Sequence, residues 1–366
     1  MKILTLFFTY GASIEDWTKN GSLDREINIY SRFLQHFDRI YFITYGKNDL
    51  KYASLMPENV IILPQKTVKN NLLYSLLIPF IYKKEITESS WLKTNQMLGS
   101  WSAVLAKLFF QKKLALRTGY TESLTFAGKN FLKRKLTDII EFIAYKSADF
   151  SIVTSQSQKE YITQKYNVKK IHVIPNGIDI ETFKPNEKKE ASEKIKLLFV
   201  GRLHEEKNLP NLLKAVKDSK NIKLKIVGKG ELKDEILKLK DKYSLDLEII
   251  ESVPNSKLPE IYNWADIYIQ PSLYEGNPKT ILEAMSCGLP VIASNVEGIN
   301  SVIKNHENGC LCEINIKSIK NSISEIIENK TLRETIGNKA RSFIEENYDL
   351  KKTIKNELTL YHNSSK

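Results

Sequence analysis

Residues 267–292 read Ile-Tyr-Ile-Gln-Pro-Ser-Leu-Tyr-Glu-Gly-Asn-Pro-Lys-Thr-Ile-Leu-Glu-Ala-Met-Ser-Cys-Gly-Leu-Pro-Val-Ile. The segment opens with a short apolar run rich in β-branched residues, which Pro271 and Ser272 bring to an end. Apolar residues then recur at helical spacing, and a second apolar run begins at Val291. This pattern predicts a strand, a loop, a helix and another strand.

The predicted helix has start and stop residues of the expected types. Asn277 suits the N-cap and Pro278 the first helical position, while Gly288 suits a left-handed C-terminal cap. The loop therefore brings Glu275 and Gly276 to the start of a helix. In a parallel sheet that point lies at the carboxyl edge, where ligands bind and where helix N–H groups favour anions.

Two carboxylates frame this predicted anion site. Glu275 lies in the loop, and Glu283 follows about a turn and a half into the helix. A sugar that carries a phosphate could contact the loop, the helix start and both carboxylates together.

The sequence around these two glutamates resembles that of the family 4 retaining glycosyltransferases of the GT-B architecture. A glutamate followed after seven residues by a second glutamate is a weak signal alone, but in the family these two residues are part of a longer sequence motif. In this chain the motif consists of Pro271-Ser272, Glu275-Gly276, Leu282-Glu283-Ala284-Met285, Cys287-Gly288 and Pro290-Val291.

The resemblance implies an α/β fold of two Rossmann-like doubly wound domains that face each other across a cleft. The chain of 366 residues is long enough for both. We expect an acceptor-binding domain over residues 1–175, a linker over 176–194 and a donor-binding domain over 195–347. A terminal helix at about 348–366 would return to the first domain.

The back half also resembles the family in its nucleotide-binding loops. Arg202 and Lys207 lie where the family holds the donor diphosphate, and two cations at a strand end suit a pyrophosphate. Gly228 lies where the backbone would pass close to the nucleotide, and Val253 lies where the family seats the base. UDP- and GDP-linked sugars both remain open as donors.

The resemblance further implies a role for each residue of the central segment. Glu275 would orient the sugar hydroxyls at the reacting face, and Glu283 would bind the ribose hydroxyls. The helix start would bind the donor through Gly276, Asn277, Pro278, Lys279 and Thr280. The acceptor would attack from the leaving-group face, and a donor phosphate oxygen would take its proton. No metal or other cofactor is required.

The front half shows a β–loop–α–β pattern but weaker motifs. We expect a polar loop from Ser13 to Asn20, and Asn20 and Gly21 as acceptor or diphosphate contacts; a plain surface loop fits equally well. Family members often carry a His where this chain has residues 117–120. Arg117 or Tyr120 could replace that His, or both could be structural.

The positive charge is concentrated in the front half. The chain has 55 Lys+Arg against 43 Asp+Glu, and residues 1–170 account for nearly all of the net charge of +12. Residues 66–84 and 129–146 mix aromatic, aliphatic and basic side chains, which suits an anionic membrane surface or ordinary packed helices. We expect a peripheral cytoplasmic protein with a glycan or lipid-linked acceptor and no nucleic acid partner.

The cysteines and the apolar runs argue against a disulfide-rich protein and against a membrane-spanning one. Three cysteines are too few for a disulfide framework, and Cys310-x-Cys312 lacks a second pair of zinc ligands. The longest apolar run, at 72–82, is shorter than the roughly 20 residues of a membrane span. Residues 1–12 fit a buried first strand better than a signal peptide.

Two other functions remain open at this point. Glu275 and Glu283 could serve a glycoside hydrolase, although a hydrolase needs no cationic diphosphate loop. A non-catalytic sugar-nucleotide or NAD-binding protein is the third candidate. The lack of a G-x-G-x-x-G sequence argues against NAD.

Overall fold

The computed structural model describes residues 1–66, 68–119, 131–186, 192–276 and 278–364. The chain divides into two compact units. The first contains Met1–Asn176 together with the chain from Lys352 onward, and the second contains Gly177–Lys351. Each unit has its own hydrophobic core.

The first unit is built on a seven-stranded parallel sheet. Its strands are β1 (Ile3–Phe7), β2 (Arg39–Ile43), β3 (Val60–Leu63), β4 (Trp91–Thr94), β5 (Lys113–Arg117), β6 (Phe150–Val153) and β7 (Ile171–Val173). Their order in the sheet is β3-β2-β1-β4-β5-β6-β7. The described helices up to β7 are α1 (Ile14–Lys19), α2 (Leu23–Phe33), α3 (Asn71–Ile81), α4 (Lys83–Glu88), α5 (Ser100–Phe110), α6 (Phe131–Ser147) and α7 (Gln156–Tyr166).

The second unit repeats this plan with a six-stranded parallel sheet. Its strands are β8 (Ile195–Val200), β9 (Ile222–Val227), β10 (Leu247–Ile250), β11 (Ile267–Gln270), β12 (Val291–Ser294) and β13 (Cys310–Cys312). Their order is β10-β9-β8-β11-β12-β13. The helices are α8 (Leu209–Val216), α9 (Lys233–Tyr243), α10 (Leu258–Trp264), α11 (Lys279–Ser286), α12 (Ile316–Glu328) and α13 (Lys330–Asn347).

Both sheets have a doubly wound strand order. The chain first adds strands toward one edge of the sheet, then crosses back past the first strand and adds the remaining strands toward the other edge. The order reverses between β1 and β4 in the first sheet and between β8 and β11 in the second. Leu4 faces Trp91 across the first of these pairs, and Ile267 faces Leu197 across the second. The predicted α/β fold of two Rossmann-like domains is confirmed.

The last helix, α14 (Leu350–Asn363), carries the chain back to the first unit. Its Glu357 is buried and accepts hydrogen bonds from Lys93 of β4 and, at 2.7 Å, from Arg117 of β5. Side chains of α14 thus complete the first unit's interior.

Three local predictions differ from the structure. Strand β4, with the sequence Trp-Leu-Lys-Thr, was not among the predicted strands, and its lysine pairs with Glu357 inside the protein. The polar loop expected at Ser13 to Asn20 is mostly helix α1. Ser13 and Asp16 form a reciprocal capping box, which stabilises this short helix.

The predicted linker over 176–194 includes residues that belong to the second unit's core. Ile178 and Phe183 are buried there, and Ile178 forms a bridge with Asp349. Apolar side chains at these two positions explain why this stretch packs instead of remaining exposed.

Candidate active site

The candidate site lies where the strand order of the second sheet reverses. The loop after β8 (residues 201–208) and the loop after β11 (271–278) both leave the carboxyl edge at this point. Adjacent loops of a doubly wound sheet diverge there and leave a crevice in which ligands bind. The central motif and the cationic loop therefore meet at one place in the fold.

An ion pair joins these two loops. The Lys207 ammonium donates to Glu275 Oε1, and the side chains of the two residues are only 12% and 10% exposed. Gln270 Nε2 and Ser272 Oγ donate to the same oxygen at 2.5 and 2.8 Å. Three donors thus converge on Oε1, while none of the hydrogen bonds that the described residues make reaches Oε2.

The backbone fixes the two loops against each other. The Leu273 N–H donates to the Glu206 carbonyl at 2.8 Å, and Ser294 Oγ of β12 donates to the Ser272 carbonyl. Gly298 has φ of +88°, and a Cβ added there would lie 2.2 Å from the Glu275 carbonyl oxygen. A side chain at this position would displace the Glu275 loop.

Gln270 connects the Glu275 carboxylate to the buried interior. Its own side chain is 2% exposed, and its Oε1 accepts from the Tyr268 hydroxyl at 2.7 Å and from Thr280 Oγ1 at 2.8 Å. Burial raises the pKa of Tyr268, so this hydroxyl stays a neutral donor. The amide orientation is consistent with both contacts, and it directs Nε2 to Glu275.

Glu283 lies on α11 and is 5% exposed. The Tyr262 hydroxyl donates to its Oε2 at 2.8 Å. Burial, together with the Glu283 charge, raises the pKa of Tyr262, which therefore remains protonated and holds the carboxylate. Glu283 is thus fixed in position before any ligand arrives.

Helix α11 begins one residue later than the sequence predicted. Its first residue is Lys279, and Pro278 occupies the N-cap instead of the first helical position. Gly276 lies open, with no atom within 4 Å of a Cβ built on it. Asn277, the predicted cap, lies outside the described residues.

The two predicted diphosphate ligands have different surroundings. The side chain of Lys207 is mostly buried and paired with Glu275. The side chain of Arg202 is 72% exposed and pairs with Glu206 at 3.1 Å on its own loop. An exposed guanidinium with a single carboxylate partner can exchange that partner for an incoming anion at little cost.

The glycines after β9 have a structural role that the sequence reading missed. A Cβ on Gly228 would lie 1.8 Å from the Gly201 carbonyl oxygen, and one on Gly230 would lie 2.3 Å from that of Leu203. These glycines let the loop after β9 pack directly on the loop after β8. Val253, predicted beside the base, lies in the next loop along the same edge and packs partly on the core.

The residues predicted in the first unit are not brought into a comparable cluster. Asn20 is exposed at the end of α1, and Gly21 follows with φ of +67°. The Arg117 guanidinium is bound to Glu357 and lies 3.3 Å from Asn176 Oδ1, so its charge is used inside this unit. Tyr120 lies outside the described residues.

The sequence reading missed Gln270, Ser272 and Tyr262, although all three contact a predicted glutamate. A polar residue at the end of an otherwise apolar strand, as Gln270 is, was the available clue. A surface cavity of about 440 Å³ lies at the other end of the strands, beside Lys196 and Asp266. It does not include the Lys207–Glu275 pair.

Comparison with known proteins identifies the family. Residues 180–343 match the model of the glycosyl transferases group 1, and residues 35–182 match that of glycosyltransferase family 4. An uncharacterized glycosyltransferase of Methanocaldococcus jannaschii is 30% identical over 93% of this chain and 91% of its own length. The chain therefore belongs to the family 4 glycosyltransferases and has their GT-B fold.

A partial sequence match and two structural matches agree with this family. The UDP-Gal:alpha-D-GlcNAc-diphosphoundecaprenol alpha-1,3-galactosyltransferase of Escherichia coli is 34% identical over 55% of this chain and 58% of its own. Sucrose-phosphate synthase from Thermosynechococcus elongatus superposes with a TM-score of 0.79 at 19% identity, covering 99% of both chains. Anabaena HepE in complex with UDP gives a TM-score of 0.78 at 18% identity, covering 99% of this chain and 100% of its own. At these identities, the two structural matches show the fold alone.

Proposed function

We propose that this glycosyltransferase is a retaining enzyme that moves a sugar from a UDP- or GDP-linked donor to a glycan or lipid-linked acceptor in cell-surface polysaccharide or glycolipid synthesis. The Lys207–Glu275 pair at the reversal point of the second sheet carries this proposal. The second unit binds the donor and the first binds the acceptor. The name of the Escherichia coli relative, which includes a UDP-sugar and a diphosphoundecaprenol-linked acceptor, supports this substrate class.

The chemistry needs a group that stabilises the departing diphosphate. Lys207 and Arg202 supply positive charge, and the start of α11 supplies N–H groups and the positive end of the helix dipole. In the donor-free protein Glu275 neutralises Lys207. An arriving diphosphate competes with that carboxylate for the ammonium, because both are anionic acceptors.

The carboxylates have separate roles in this proposal. Glu275 keeps Oε1 on its three protein donors and presents Oε2 to the sugar hydroxyls, while Glu283 binds the ribose hydroxyls. The acceptor hydroxyl attacks the anomeric carbon from the face that the diphosphate leaves, and a diphosphate oxygen takes the hydroxyl proton. No residue acts as a covalent nucleophile, and the proposed reaction needs no metal.

A donor screen tests the proposed activity. The full chain is incubated with UDP- and GDP-sugars and a diphosphoundecaprenol-linked sugar, and release of UDP or GDP is measured. We expect acceptor-dependent release with one donor, and an α-linked product from an α-linked donor. Release of free sugar from a glycan alone would instead favour hydrolysis, and binding of NAD without any nucleotide-diphosphate sugar would contradict the proposal.

We also propose that the first unit binds an anionic membrane surface, where a lipid-linked acceptor resides. Helices α3, α5 and α6 expose large apolar side chains, which the structure leaves 44% or more exposed: Leu72, Leu73, Leu76, Phe80, Leu108, Phe109, Leu136, Ile139, Phe142 and Ile143. The Phe80 and Phe109 rings pack 5.0 Å apart, so α3 and α5 share this patch. None of the helices in the described part of the chain is long and apolar enough to cross a membrane.

Charge complementarity selects the anionic surface as the occupant of this patch. Lys69, Lys83 and Lys84 flank α3, and Arg134 and Lys135 lie on α6. Each basic residue near an anionic bilayer contributes about 1 kcal/mol, and burial of the apolar side chains adds to it. Exposed apolar side chains that lie side by side, as Phe80 and Phe109 do, often mark a protein or membrane interaction site.

Vesicle sedimentation tests this second part. We expect the chain to sediment with phosphatidylglycerol vesicles and not with phosphatidylcholine vesicles. Replacing Phe80 and Phe109 by Ser should lower the partition coefficient about tenfold. Leu237→Ser, at a residue 37% exposed on α9 of the second unit, should leave it unchanged. Equal binding by both variants would contradict the assigned patch.

A further inference from the structure

A second cluster of chemically reactive side chains lies at the far edge of the second sheet. The sulfur of Cys310 on the edge strand β13, an imidazole nitrogen of His306 and a carboxylate oxygen of Glu325 on α12 all lie within 4.8 Å of one another. They come from a loop, a strand and a helix. Local sequence alone would not bring them together.

The spacing of two of these groups fits a shared ion better than a direct hydrogen bond. His306 Nδ1 lies 3.6 Å from Glu325 Oε1, beyond the usual range of an N–H···O hydrogen bond. Two ligands that each lie about 2.0–2.1 Å from a tetrahedral zinc ion are about 3.4 Å apart. The observed separation is close to that value.

The loop holds His306 in an unusual backbone conformation. His306 has φ of +58°, in the left-handed region that non-glycine residues seldom adopt. Its N–H donates to the Gly309 carbonyl at 2.8 Å, and Asn305 Oδ1 accepts from the Leu311 N–H at 2.8 Å. Such conformations persist where the surroundings enforce them, and they occur often at ligand sites.

We propose that His306, Cys310 and Glu325 bind one zinc ion and leave its fourth position open to solvent. Thiolate, imidazole and carboxylate are all zinc ligands, and the thiolate disfavours magnesium and calcium. The exposed side chains of His306 and Glu325 give the ion a path from solvent, while Cys310 lies at the base of the site.

The surroundings of the sulfur suit this assignment. Ser322 lies about one turn before Glu325 on α12 and is buried, so its hydroxyl and the Glu325 carboxylate lie on the same face of the helix. The Cys310 thiol gives its proton to solvent when the ion binds, because the thiolate is the form of cysteine that binds zinc. The ion ties the edge strand to α12 and lies apart from the Lys207–Glu275 pair, so this site does not depend on the proposed transferase chemistry.

Cobalt titration of the chelator-treated full chain tests the site, because Co²⁺ bound to a thiolate gives a charge-transfer absorption. We expect saturation at one equivalent, displacement by one equivalent of Zn²⁺, and a rise in Tm with Zn²⁺. Cys310→Ala should abolish the absorption and weaken Zn²⁺ binding at least about tenfold. Cys312→Ala is the matched control, since Cys312 is equally buried on the same strand, and it should behave as the wild type.

His306→Asn provides an independent variant, because Asn tolerates the left-handed conformation and the side chain is on the surface. It should also weaken Zn²⁺ binding about tenfold while leaving the metal-free Tm unchanged. Absence of stoichiometric binding at micromolar Zn²⁺ would overturn the proposal. Equal binding by Cys310→Ala and Cys312→Ala would overturn it as well.

Discussion

Within the described residues, each unit of this protein has a buried lysine–glutamate pair at its sheet, and the two pairs differ in how completely the carboxylate oxygens are bonded. In the first unit Lys93 and Arg117 bind different oxygens of Glu357, and the Lys93 and Glu357 side chains are 2% and 5% exposed. In the second, all donors to Glu275 meet at Oε1, and its pair with Lys207 is slightly more exposed.

We expect this difference between a structural ion pair and a binding site. The Glu357 cluster is closed, because both oxygens have cationic partners, and it joins α14 to the strands of the first sheet. The Glu275 carboxylate has one oxygen without a partner among the described residues. Its other oxygen is paired with the Lys207 ammonium, to which an incoming anion could bind. Breaking the first pair should reduce stability, whereas breaking the second should reduce activity.

The largest expected effect concerns the closed pair. Glu357→Gln leaves Lys93 and Arg117 inside the protein without a counter-charge, so the free energy of unfolding of the first unit should fall by about 3–5 kcal/mol. Chemical denaturation followed by circular dichroism measures this. Asp246→Asn, which breaks the exposed pair with Lys194, should cost less than about 1 kcal/mol. An equal loss of unfolding free energy in Glu357→Gln and Asp246→Asn would contradict the structural role of the buried Glu357 cluster.

Breaking the Lys207–Glu275 pair should lower the activity and leave the stability nearly unchanged. Glu275→Gln should lower the rate of sugar transfer about 10²–10³-fold, since one oriented charged group at the reacting centre is lost. Its Tm should stay within a few degrees of the wild type. Nucleotide release with donor and acceptor measures the rate, and Asp246→Asn again serves as the control. Full turnover by Glu275→Gln would remove Glu275 from the mechanism.

A smaller effect is expected in the pH dependence of stability. Burial alone would raise the pKa of Glu357, but Lys93 and Arg117 lower it below its usual 4.5. Because the folded-state pKa is the lower one, the stabilisation is complete above about pH 4.5 and is lost as the pH falls through the folded value. Wild type and Glu357→Gln should therefore differ most at neutral pH and converge in acid. A constant difference down to pH 3 would contradict the ion pair.

The sequence predicted the fold class and the positions of the site loops, because both depend on local patterns. Apolar runs, Gly288 and the motif around Glu275 are readable within a few residues. The partners of the charged groups were not predictable in the same way. Lys93 and Glu357 are 264 residues apart and Lys207 and Glu275 are 68 apart, so only the tertiary fold brings them together.

The same reason explains what was not predicted. Strand β4 contains a lysine, and the partner that neutralises its charge inside the unit, Glu357, lies at the far end of the chain. The close packing of the loop after β9 on the loop after β8, which the small size of Gly228 permits, was not predicted either, because the Gly201 carbonyl that it contacts lies in another loop.

Calorimetric titration of UDP and GDP against three forms of the chain tests the central claim most directly. If a donor diphosphate takes Lys207 from Glu275, Lys207→Met should weaken binding of the preferred nucleotide about tenfold or more and leave the nucleoside unaffected. Glu275→Gln should bind the same nucleotide as tightly as the wild type or tighter, because the competing carboxylate is gone. Unchanged nucleotide affinity in Lys207→Met, or an equal loss in both variants, would contradict the account.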